Sequence, residues 1–183
     1  MTENRKLRVA DSIRNFTLPH YDEIPNVGLY LEQTAKYISE YLDCLGDFTL
    51  TRSMISNYVK KGLITNPVKK QYDREQIAYL TFIAVAKNVL SMEDIRLLVR
   101  EQQKTYSPAV AYEYFRLELE NVLFYVFGLK ESLDTVGVDN TQEKDMLRST
   151  IITVAHKVYL DKYFEVLHSE EEEEKAAVKA AKR

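Results

Sequence analysis

Apolar residues recur at intervals of three and four from Leu31 onward, at Thr34, Ala35, Ile38, Leu42 and Leu45. That period is the mark of an amphipathic helix. Gly46 and Asp47 are expected to end it. Thr51 is placed to cap a second helix whose inner face would hold Met54, Ile55, Tyr58 and Val59, with Gly62 as its C-terminal stop. Leu63 to Tyr72 reads as a short extended piece, two bridging ends around a turn at Asn66-Pro67. Asp73, with Gln76 three residues on, has the spacing of a capping box and opens a helix lined by Ile77, Leu80, Thr81, Ala84 and Val85. Ser91 and Asp94 open another through Ile95, Leu98 and Val99.

The second half continues in the same period. Ser107 is a cap and Pro108 suits the first helical position. The helix they start is predicted to reach about Leu133. Its segment Val122–Phe127 is apolar nearly all round, so it must be buried on several sides. Thr141 begins a last long helix with Leu147, Ile151, Val154, Ala155, Val158 and Tyr159 inward. Pro19 and Pro25 interrupt the start of the chain, and residues 1–24 read as a flexible, weakly structured arm. Residues 169–183 read as a charged, low-complexity tail, a frayed continuation of the last helix. The expected fold is therefore all-α with at most a minimal two-stranded element. Residues 25–100 would form one unit and residues 107–168 a helical hairpin for packing or self-association.

Composition narrows the class. The chain has 183 residues, 45% hydrophobic and 29% charged, which suits a packed domain. No apolar run reaches the roughly 18–20 residues of a membrane span. One cysteine, Cys44, allows no internal disulfide. A cytoplasmic protein is expected. Net charge is −3, but the stretch Arg52–Arg74 holds six basic residues against Asp73 alone, a local +5 that leaves −8 for the remainder. Within it, Arg52, Ser53, Ser56, Asn57 and Lys60 fall on one stripe of the second helix, opposite its apolar face. A helix that enters a DNA major groove needs that mixture. Asn pairs with adenine, Arg pairs with guanine, and Ser and Lys reach edges or phosphates. Lys61, Lys69 and Lys70 would sit beside the stripe to touch the backbone.

The order of these residues resembles a known pattern. Ile55, Tyr58, Gly62-Leu63-Ile64, Pro67, Lys70 and Tyr72-Asp73 are followed by Ile77, Leu80 and Ile83, then by Leu90-Ser91-Met92, Ile95 and Leu98. This is similar to the MerR-type winged helix-turn-helix. The stretch from Leu29-Tyr-Leu-Glu-Gln-Thr to Asp94-Ile95 more closely resembles an uncharacterised bacterial family, the domain of unknown function 1836. The resemblance implies a MerR-like fold and leaves the biochemical role open. It also places Ser56 where MerR proteins usually carry an arginine, puts Asn57 beside Tyr58, and shortens the wing, which lacks the usual glycine. Ile55, Tyr58, Leu63, Tyr72, Ile77, Leu80 and Ile95 are then packing residues.

The expected function is DNA-binding transcriptional regulation by a homodimer. The alternatives are a protein–protein interaction module on the same scaffold, or a small-molecule sensor. The sensor reading draws on the aromatics of the C-terminal half, such as Tyr112, Tyr114, Phe115, Phe124 and Tyr125. Enzyme chemistry is not expected. His20, His156 and His168 are scattered, and no HExxH, CxxC or GxSxG occurs. His156 reads as a structural histidine, Cys44 as a small apolar filler, and Glu93-Asp94 and Glu118/Glu120 as solvated helix carboxylates. No cofactor or metal is expected.

Overall fold

Side-chain caps set most helix starts in the computed structural model of the protein, which describes residues 2–181. Seven α-helices and one two-stranded sheet occur among the described residues. They are α1 (Thr2–Asp11), β1 (Leu29–Tyr30), α2 (Leu31–Leu42), α3 (Arg52–Lys60), β2 (Gln71–Tyr72), α4 (Arg74–Ala86), α5 (Met92–Thr105), α6 (Pro108–Val126) and α7 (Gln142–Ala181). Thr51 Oγ1 accepts the Met54 N–H at 3.2 Å, and Ser91 Oγ accepts the Asp94 N–H at 3.1 Å. Asp73 and Gln76 form the expected reciprocal box. Asp73 Oδ1 accepts the Gln76 N–H at 2.9 Å, and Gln76 Oε1 accepts the Asp73 N–H at 3.0 Å.

Helices α3 and α6 stop by the same device. Gly62 and Gly128 take φ of +69° and +71°, a left-handed turn that a side chain would oppose. Leu63 N–H then donates to the Tyr58 carbonyl and Leu129 N–H to the Phe124 carbonyl, closing paired caps. This is why α6 ends at Val126 rather than near Leu133.

The opening segment differs from the expected arm. A helix, α1, forms ahead of Pro19 and ends at Asp11, and Val9, Ile13, Phe16, Leu18 and Ile24 are all buried. α1 packs on α7, and Arg5 Nε donates to Glu170 at 2.7 Å. The non-helical part is held by α6. Glu120 accepts from Leu18 N–H at 3.0 Å, Glu113 accepts from Tyr21 N–H at 2.6 Å, and Tyr112 Oη donates to the Pro19 carbonyl at 3.1 Å. Partners distant in sequence satisfy the backbone where no local element can.

The turn between α3 and α4 also shifts. β2 pairs antiparallel with β1, Leu29 opposite Tyr72 and Tyr30 opposite Gln71. The tight turn lies at Lys69-Lys70, where Val68 bridges Gln71, not at Asn66-Pro67.

One hydrophobic cluster runs from Val9 to Val158. Helix α4 lies in its middle, touching α2, α6 and α7, and Gln76 to Ala86 are buried except Tyr79. A helix apolar all round belongs in such a position. Phe82 meets Phe115 of α6 edge to face, with ring centroids 5.5 Å apart. Helix α7 continues without a break to Ala181, with residues 171–180 exposed and Lys175 3.7 Å from Glu171; residues 182–183 of the expected tail lie outside the described residues. Among the described residues, no helix is long and apolar enough to cross a membrane.

Candidate nucleic-acid interface

The short helix α3 is fixed by one face and open on the other. Ile55 and Tyr58 point into the core, 0% and 4% exposed, while Met54 and Val59 are half-buried. Burial raises the Tyr58 hydroxyl above its ordinary range, as it does for Tyr72, in keeping with packing roles. With those anchors set, helical geometry leaves the polar stripe outward. Arg52, Ser53, Ser56, Asn57 and Lys60 are all exposed, as are Lys61, Lys69 and Lys70. Every one of the eight residues singled out from the sequence thus faces solvent. Among the described residues the one ion pair on the stripe is a loose one, Arg52 Nη1 to Glu32 of α2 at 3.7 Å, with both side chains exposed. Such a pair contributes little and is readily exchanged for a phosphate.

Lys69 and Lys70 occupy the tip of the turn with φ of +51° and +65°. Two successive left-handed residues make a mirror-image hairpin turn, which glycine and asparagine favour. Lysine there costs about 1 kcal/mol or more per residue. Both lysines are exposed, so the packing does not demand lysine at either position. The base of the turn is rigid. Buried Gln76 donates through Nε2 to the Thr65 carbonyl and hydroxyl, both at 2.9 Å.

Two arginines alter the picture of the basic island. Arg74, counted within it, is engaged elsewhere. Its guanidinium donates to the Ile24 and Asp22 carbonyls and the Asp22 carboxylate, and lies 5.6 Å from the Tyr21 ring centroid. It is a structural tie to the opening segment. Arg96 of α5, outside the predicted stripe, is exposed and donates to the Lys61 carbonyl at 2.7 Å. It sets a cation against the carbonyl end of α3. The signal was available, because Arg96 follows buried Ile95 directly and so falls on an outer face.

Other chemistry-bearing residues do not assemble. His156 is exposed rather than a packed structural histidine, and His20 and His168 are exposed as well. His156 follows Ala155 on α7, one step past the buried edge. Cys44 is half-buried, and burial pushes its thiol up, away from reactivity. Glu93 and Asp94 are solvated as expected, but Glu118 is 1% exposed and Glu120 is half-buried. The reason is tertiary. α6 is covered by the opening segment on one side and by α7 on the other, where Arg148 Nε comes within 2.9 Å of Glu118. Among the described residues, no group of three or more His, Cys, Asp or Glu is placed to hold a metal ion.

Residues 19–115 match a domain of unknown function, DUF1836. No curated protein and no solved structure matches the chain.

Proposed function

We propose that this chain, which belongs to the DUF1836 family, is a DNA-binding regulator that inserts α3 into the major groove. In this reading α2 and α3 are a helix-turn-helix of the MerR-like kind, and the β1–β2 pair with its lysine turn is a minimal wing. One observation carries it. All eight polar and cationic residues marked by the sequence are exposed, on a helix whose other face is locked into the core and on the turn beside it. Arg52 and Asn57 would read base edges, and Ser53 and Ser56 would pack beside them. Lys60, Lys61, Lys69 and Lys70 would neutralise phosphates, and the N-terminus of α3 would aim free N–H groups at another.

The partner is double-stranded DNA, bound by a homodimer. Two-fold sites are read by two-fold proteins with recognition helices about 34 Å apart. Leu160 and Phe164, each 54% exposed on the outer side of α7, offer an apolar strip for that pairing. A regulator of this kind works in the cytoplasm. The test is selection from a random DNA pool followed by anisotropy titration against salt. Four phosphate-binding lysines per protomer predict a log–log slope of about −3.6 for each. A selected sequence bound without such a slope, or no enrichment at all, would refute the reading.

A further inference from the structure

A cavity of about 270 Å³ lies where α4, α5, α6 and the start of α7 meet, closed on one side by the loop through Val136 and Gly137. It does not touch the DNA-reading face, and the argument for it stands apart from that function. Its walls are almost wholly apolar, with Phe82, Leu98, Val99, Phe115 and Leu147 around it. Val110 and Leu117, 55% and 43% exposed, border it, so it is reached from the surface.

The polar groups at its edge are already committed to one another. Tyr79 donates to Gln102 at 3.2 Å, and Gln102 donates to the Tyr106 carbonyl at 3.0 Å. Tyr106 bonds Asp139, which also accepts from Lys144 at 3.2 Å. Thr105 holds Glu143 at 3.1 Å. The exception among the lining side chains is the Tyr114 hydroxyl, buried without a partner. Burial, with Glu118 nearby, pushes it up to about 12, so it stays a neutral donor. Among the described lining residues the one cation, Lys144, is already paired with Asp139, and a charge taken into these walls would go unpaired.

We infer that this cavity binds a small, uncharged, largely aromatic or aliphatic molecule carrying at most one hydrogen-bonding group. Size follows from volume. An apolar cavity of about 150 Å³ accepts benzene, so this one suits a bicyclic molecule of roughly ten heavy atoms. Such pockets form where helical layers meet, apolar with few convergent polar groups. A bound molecule would touch α4 and α5 on one side and α6 and α7 on the other.

The probe pair is 2-naphthol and 2-naphthoate, alike in shape and different in charge. Titration calorimetry on the full chain should show saturable one-site binding of 2-naphthol, about tenfold or more tighter than 2-naphthoate. Ala111→Trp, which fills the cavity from α6, should abolish it without lowering the melting temperature. In the unmodified protein, magnetisation transfer from bound 2-naphthol should reach the methyl groups of Val99, Leu117 and Leu147, a readout that needs no variant. Absent or unsaturable binding of 2-naphthol overturns the inference. So does equal affinity for the naphthoate, or transfer to methyl groups elsewhere.

Discussion

The α3 face and the surface of α6 both carry charge, and they use it in opposite ways. On α3 the cations stand in solvent, their only ion partner among the described residues being Glu32 at 3.7 Å. On α6, Arg116 is 6% exposed and meets Glu113 at 3.0 Å, Glu120 at 3.5 Å and His20 at 3.1 Å. Exposed charge that the fold does not need is available for a partner. Buried charge with several internal partners is part of the framework. The difference shows that charge content is uninformative until its partners are known.

That contrast can be broken most forcefully at Arg116. Arg116→Met should destabilise the protein by about 3 kcal/mol, because Glu113 and Glu120 lose their counter-ion where water is scarce. Chemical denaturation measures it, and an unchanged midpoint would put α6 on the same footing as α3. On the α3 side the effect should appear in binding alone. Arg52→Ala or Asn57→Ala should cost about 1–3 kcal/mol of affinity for the selected sequence and relax base preference. Their melting temperatures should hold. Equal loss on every DNA sequence would assign either residue to the backbone instead.

Smaller effects sharpen the comparison. Lys70→Asn should relieve the left-handed strain and raise stability by about 0.5 kcal/mol while weakening DNA binding. Stability and affinity moving together would remove the argument from strain. Acid should act on the framework first. Burial works to raise the Glu113 carboxyl, but the Tyr21 N–H and Arg116 outweigh it and hold the group below its ordinary value. A carboxyl with a depressed native pKa stabilises the fold above its unfolded value of 4.5, and that contribution fades as pH falls through the native value. Melting temperature should therefore drop below about pH 4.5, and Glu113→Gln should flatten the decline.

The sequence disclosed what is local. The caps at Thr51, Asp73, Ser91 and Ser107 depend on residues within one turn, and the stripe on α3 follows from a single helix with one apolar face. Lys69-Lys70 was marked as a backbone contact, but the turn itself was placed at Asn66-Pro67, where composition favours it. Pairing of β2 with β1 moved it. The opening segment and Glu118 depart from the sequence expectation for one reason. Each is settled by partners supplied from elsewhere in the chain. Val9, Ile13 and Phe16 already carried helical spacing, a signal outweighed by the prolines that follow. The cavity was legible only as a surplus of aromatic residues.

The bond between Arg5 and Glu170 spans 165 positions. Closing so large a ring carries an entropy cost that contacts within one helix do not, although that cost grows only slowly with length. Helix α1 therefore depends for its place on a partner at the other end of the described chain. It acts as a clasp, joining the opening segment to the far half of α7 across the width of the sequence.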